Sequence, residues 1–204
     1  MRIFRFVFLA AALVMAPAAA AWAEGLYFTP KVGYSYLQGK IEDKRRGSGQ
    51  AVLGLALGYD FQPDQEIPLR AEFEYAWRGK REKFNEDGIK GKAGAQSFFA
   101  NGYFDIHNDT PITPYIGGGL GLAIVSGEIS RGRTALGKTE NSFAWNVGTG
   151  AAWKISDGAW ENDYSVTMDL GYRYADFGKI KEITDNIDIK VRAHEVLLGL
   201  RFTF

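Results

Sequence analysis

Ionisable side chains recur at every second position in parts of this chain, as at Arg70, Glu72, Glu74 and, four further on, Arg78. Residues two apart in an extended strand point to the same side, so this spacing presents a row of charges to one face. The charges that fall on such faces are Lys31, Arg70, Arg78, Lys154, Arg173 and Arg201 against Asp60, Glu72, Glu74, Asp105, Asp169 and Glu195, six of each sign. Opposite charges gathered in a confined interior must be paired or hydrated, and the chemistry on offer is therefore ion pairing. A static network would plug the interior; a network that opens transiently would be a narrow, gated ion path. Arg70, Glu72, Glu74 and Arg201 are expected to form part of the plug, and Glu72→Ala raises ion conductance if pairing alone closes the path.

Other chemistry finds little footing. The sequence contains no cysteine, which excludes disulfides, thiolate nucleophiles and cysteine metal sites. Its two histidines, His107 and His194, fall near opposite ends of the strands described below and cannot share a metal or a catalytic centre. By strand parity the neighbours of His194 are Tyr36 and Tyr174, while Ser35 points the other way, so a Ser–His pair for acyl transfer is not supported. The glycine run 117–121 lacks the third spaced glycine of a nucleotide loop and sits inside a strand, where small residues relieve crowding. No catalytic residue, metal site or cofactor is expected.

The charged rows need strands to hold them. In residues 69–78, Leu69, Ala71, Phe73, Tyr75 and Trp77 alternate with Arg70, Glu72, Glu74, Ala76 and Arg78, one side fit for hydrocarbon and the other ionic. The same period of two runs through residues 26–37, 51–61, 98–106, 114–124, 142–155, 165–174 and 191–204. Gln62–Pro68, Asn108–Pro111 and Ser156–Asp163 read as short turns, and Lys40–Gly49, Lys80–Ala93 and Lys179–Lys190 as charged loops. No stretch after the amino terminus reaches eighteen consecutive apolar residues, which excludes a helical membrane protein. Turned inward, the large apolar side chains would overfill an eight-stranded lumen; turned outward, they face lipid. The pattern predicts an all-β fold, an eight-stranded antiparallel up-and-down transmembrane β-barrel. Aromatic residues gather near both ends of the strands, Tyr59, Phe61, Phe104, Trp153, Phe202 and Phe204 at one and Trp77, Phe143, Trp145, Tyr172 and Tyr174 at the other, as interfacial girdles do. Pro30 and Pro114 each remove a ladder donor near the short-turn end.

Residues 1–23 read as a cleaved signal peptide: Arg2 and Arg5 precede an apolar run, and Ala21-Trp22-Ala23 fits a small-x-small cleavage site. Residues 24–204 are then the barrel domain. Loss of the two arginines turns an even balance of 24 basic and 24 acidic residues slightly acidic, and no nucleic-acid partner is expected.

The segment Thr113-Pro-Tyr-Ile-Gly-Gly-Gly-Leu-Gly-Leu-Ala123, the Leu-Gly-Tyr-Arg-Tyr run at 170–174 and the Phe-Thr-Phe ending resemble the opacity-type surface proteins and the OmpA-like transmembrane domain of Gram-negative bacteria. The resemblance covers residues 24–204. It implies residence in the cell outer membrane and, for Phe202 and Phe204, a role as the signal read by the barrel insertion machinery. Stopping at the barrel, the chain implies no peptidoglycan-binding domain.

With both termini and the short turns on the periplasmic side, the long loops face outward, and their basic residues outnumber the acidic ones; Lys44, Arg45, Arg46, Lys80, Arg81, Arg131 and Arg133 are the candidates for contact with lipopolysaccharide or another surface polyanion, host polyanions included. The turns on the other side carry Asp64, Glu66, Asp109, Asp157, Glu161 and Asp163 without a basic partner. The expected protein is a monomer among outer-membrane lipid and lipopolysaccharide, serving envelope integrity and surface interaction without catalysis. The alternative is a small-conductance porin.

Overall fold

Alternation decides which way each strand faces. In a computed structural model, Leu53 and Leu57 are 54% and 58% exposed while Val52 and Ala56, one residue away, are 1% exposed. The large apolar side thus looks outward and the small or polar side inward, the reverse of a water-soluble ligand barrel. The structure describes residues 25–41, 44–61, 67–86, 89–131, 134–156, 164–180 and 189–204, with side chains throughout these ranges except at 39–46, 80–93, 127–136, 138 and 179–189.

Eight strands follow one another: β1 (Leu26–Ile41), β2 (Lys44–Asp60), β3 (Leu69–Glu86), β4 (Ile89–Asp105), β5 (Ile112–Arg131), β6 (Thr134–Ser156), β7 (Ser165–Ile180) and β8 (Ile189–Thr203). Each pairs antiparallel with its sequence neighbours, and β1 pairs with β8 from Tyr27↔Thr203 to Lys40↔Lys190, which closes the sheet and leaves no edge. At the seam Gly25 N–H donates to the Phe204 carbonyl (2.8 Å), and Phe204 N–H to that of Leu26 (2.9 Å). Gly25 has φ +99°, a left-handed conformation that a side chain would strain. The β1–β8 register skips Thr29 and Pro30, so the missing proline donor costs no ladder bond on that side.

The strands are longer than expected. Lys44–Gly49 belongs to β2, Lys80–Glu86 to β3 and Ile89–Ala93 to β4, where charged loops were anticipated; β5 and β6 likewise run to Arg131 and from Thr134. Composition reports the solvent around a strand and not whether its backbone is paired. Above the hydrocarbon both faces meet water, so an antiparallel ladder carries lysine and glycine as readily as leucine. A bilayer needs only about 9–11 residues per tilted strand, whereas these have 15 to 23, and the surplus lies on the side of the long hairpins.

Candidate functional site

The inward face of β2 consists largely of Gly54, Ala56 and Gly58, and that thinness lets the β1 side chains reach across it to β3. Lys31 on β1 places Nζ 2.6 Å from Glu72 and 2.7 Å from Glu74. Two carboxylates two residues apart on one face would repel; a cation between them makes the spacing tolerable. Glu72 also accepts hydrogen bonds from the hydroxyls of Tyr103 (3.2 Å) and Tyr27 (3.4 Å).

From Glu74 the pairing crosses the lumen. Arg173 on β7 donates to Glu74 (2.6 Å) and, through Nε, to Glu195 on β8 (2.7 Å). Arg78 on β3 grips the same Glu195 through Nε (2.6 Å) and Nη2 (3.0 Å) and donates to Ser97 (2.9 Å). Arg78, Glu195, Arg173, Glu74, Lys31 and Glu72 form one alternating file of charges, all buried but Lys31, whose side chain is 11% exposed. Nearer the short turns, Arg70 makes a two-pronged bond to Asp105 (2.7 and 2.8 Å) with its guanidinium near the rings of Tyr103 and Tyr115. Arg201 lies 3.5 Å from Asp169 and 3.9 Å from Asp60, near the ring of Tyr27.

Eleven of the twelve charges singled out from parity thus line the lumen in ion pairs. Lys154 is instead exposed, at the short-turn end of β6 beside the register shift between Lys154 and Ser156. It still pairs with the buried Thr167, so its parity is inward as expected, but β6 has there run past the packed lumen to the rim. His107 and His194 are far apart, as expected, and His194 instead meets the Tyr172 hydroxyl at 2.7 Å. Among the described residues no group of carboxylates and histidines could hold a metal ion. Phe202 and Phe204 cluster with Tyr164 at the short-turn rim. The side chains of Lys44, Arg45, Arg46, Lys80, Arg81 and Arg131 and the whole of Arg133 lie outside the described residues.

Several lumen groups escaped a reading restricted to charges. Tyr27, Tyr103, Tyr115, Asn101 and Asn146 sit on the same inward faces, and glycines on neighbouring strands cradle the three tyrosines and Asn101. A Cβ on Gly117 would stand 2.3 Å from the Tyr103 ring, and one on Gly150 would stand 2.4 Å from the Tyr115 hydroxyl. Alternation alone identifies these tyrosines as inward. Toward the long hairpins the lumen changes character: Leu37, Phe99, Val125, Phe177 and Val191, with Ala95, Ala123, Ala144, Ala175 and Ala193, form a buried apolar layer. Arg78 and Arg173 lie over the rings of Phe177 and Phe99 at its floor. Below it a cavity of about 50 Å³ is lined by Thr29, Lys31, Glu72, Tyr103, Asp169 and Arg173 among others. Thr29 Oγ1, Asp169 Oδ1 and Arg173 Nη2 are buried without a protein partner, and a polar space of this size accommodates water.

A family model described as outer membrane protein beta-barrel domain matches residues 6–204. The chain is 27% identical over 241 residues to outer membrane protein PagN of Salmonella typhimurium, covering 95% of this chain and 98% of that one. Neisserial surface protein A shares the fold with a TM-score of 0.58 at 18% identity, over 89% of this chain and 100% of that one. So does the attachment invasion locus protein Ail of Yersinia pestis in complex with the heparin analogue sucrose octasulfate, with a TM-score of 0.54 at 19% identity over the same shares.

Proposed function

The chain belongs to the family of outer membrane proteins built on the β-barrel domain, and on that premise we propose that it is a closed surface barrel, serving envelope integrity and contact with its surroundings. The observation that carries this reading is the occupied lumen: a file of ion pairs running from β1 through β3 to β7 and β8, topped by the Phe99–Phe177 layer. Ions crossing it would have to break several charge-assisted bonds and then pass the packed rings and aliphatic side chains of that layer. Function then resides on the outside. No catalytic role is proposed.

Two features support a surface role. The outer hairpins are long and rich in Lys and Arg, and a structural relative, Ail, has been crystallised with a heparin analogue. Contact with lipopolysaccharide or another polyanion through Lys44, Arg45, Arg46, Lys80, Arg81, Arg131 and Arg133 fits both, and the Phe202 and Phe204 ending is proposed separately as the signal read by the insertion machinery. The polar cavity of about 50 Å³ favours a second reading, a small-conductance pore.

Single-channel recording of the refolded barrel in a planar bilayer separates the two. A folded, heat-shiftable protein that stays silent is the expected result; steady, reproducible steps would move the reading to a porin. For the rim, co-purified lipopolysaccharide is expected to fall when Lys44, Arg45 and Arg46 are neutralised together, and an unchanged amount would remove that contact.

A further inference from the structure

On the outer wall, above the lipid-facing surface, β7 and β8 hold two cations on one carboxylate. Asp176 continues the outward series Leu170, Tyr172 and Tyr174, and Arg192 and Lys190 continue the outward series Leu200, Leu198, Val196 and His194. Arg192 Nε lies 3.2 Å and Lys190 Nζ 3.3 Å from Asp176 Oδ2, while the other carboxylate oxygen accepts the Gly178 N–H at 2.9 Å. Gly178 has φ +78°, in the bulge between Asp176 and Lys179, so the backbone itself fixes the carboxylate. Asp176 is 4% exposed, whereas the side chains of Lys190 and Arg192 are 38% and 41% exposed. A buried anion thus holds two half-exposed cations side by side, leaving one positive charge in excess.

The height of this cluster identifies its partner. Directly beneath it an aromatic belt encircles His194: Tyr172 bonds to Nδ1, Tyr174 packs edge-on, and Trp145 lies against Tyr174. Below the belt Val196, Leu198 and Leu170 are 42–54% exposed and face hydrocarbon. At about 3.3 Å per residue and a tilt near 45°, Arg192 stands roughly 5 Å above His194 along the membrane normal, at headgroup level. An acyl chain lying on Val196 and Leu198 would bring its own headgroup to Arg192 and Lys190.

We infer that Asp176, Lys190 and Arg192 form a binding site for the phosphate headgroup of an outer-leaflet glycolipid, held against the β7–β8 wall. Arg and Lys donate charge-assisted hydrogen bonds to phosphate oxygens, and the carboxylate keeps both cations in place before the lipid arrives. This deepens the lipopolysaccharide contact proposed above and moves part of it from the hairpin cations to the wall.

The test uses the full refolded chain in phosphatidylcholine nanodiscs, with radiolabelled lipid A in its phosphorylated and enzymatically dephosphorylated forms. The wild type is expected to hold the phosphorylated form at least roughly tenfold more tightly, the effect of one charge-assisted bond. In K190Q/R192Q that preference disappears, while Lys154→Gln, at the opposite rim of the barrel, retains it. Should the double variant fail the heat-shift test of folding, Lys190→Gln alone is read, with a partial loss expected. The site is overturned if the wild type shows no preference for phosphate, or if a folded K190Q/R192Q barrel, or K190Q in its place, keeps the whole preference. It is equally overturned if inorganic phosphate or heparin displaces lipid A as effectively as unlabelled lipid A does. Loss of the preference in the K44Q/R45Q/R46Q barrel alone would favour the hairpins and count against the wall.

Discussion

Glu195 is the residue on which most of the lumen converges. Arg78 binds it through two nitrogens and Arg173 through a third, and its side chain is wholly buried. Removing its charge leaves two guanidinium groups short of an anion in a space with little water, and breaking such a buried pair costs about 3–5 kcal/mol. Glu195→Gln is therefore expected to lower folding stability by that amount in urea titrations of the barrel in lipid vesicles. A loss within about 0.5 kcal/mol, usual for surface sites, would mean that the pairs contribute little. The tyrosine cradles make a second, steric prediction. Gly117→Ala drives a Cβ into the Tyr103 ring, and overpacking of this kind costs about 1–3 kcal/mol. In a Tyr103→Ala background the same glycine substitution should cost less, since only the Gly102 carbonyl, 2.8 Å away, is then still close; an equal cost there would mean that the glycine is required for another reason. The charged residues of this network were legible from parity alone, because a strand has only two sides. Asp176 was not: it lies beyond the alternating stretch 165–174, and although it keeps the outward parity of Tyr174, its partners Lys190 and Arg192 stand on another strand and the bulge at Gly178 that fixes its carboxylate leaves no mark in the sequence.

At the scale of elements, the number and order of the strands and the outward turn of their apolar faces follow from a period of two. Their length does not, since polar residues outside the bilayer leave no alternation to count. The paired stretch Gly47–Gln50 of β2 opposite Ser35–Gln38 of β1 offers a measurement. Amide hydrogen exchange at Ser48 and Gln50 should be slow, as for a ladder, and exchange as fast as in an open loop would contradict the extended hairpin. The apolar layer was likewise hidden, although Leu37, Phe99 and Phe177 keep inward parity, because charge drew attention to the ionic half. The layer also alters what a single charge deletion can do. In Glu72→Ala, Lys31 keeps Glu74 as its partner and the rings of Phe99 and Phe177 stay where they were. That variant is expected to remain silent in planar bilayers, whereas Phe99→Ala combined with Phe177→Ala should admit measurable current. Current from Glu72→Ala alone would assign the barrier to the ion pairs instead.

For the molecule as a whole, the decisive distances are along the chain. Arg78 finds Glu195 across 117 residues, and Glu74 finds Arg173 across 99. A variant lacking β7 and β8 would retain Glu72, Glu74 and Arg78 but none of the partners that β7 and β8 supply, and should fail to give a heat-shiftable, protease-resistant species in vesicles. Recovery of such a species would show that the six remaining strands tolerate their charges. The cross-lumen pairs consequently act as a check on completeness. Hairpins that enter lipid early carry unneutralised charge into a medium that penalises it, and the penalty lifts only when the final strands arrive. Assembly is thereby biased toward all or nothing, and a partly built wall, which would leak, is the state least able to persist.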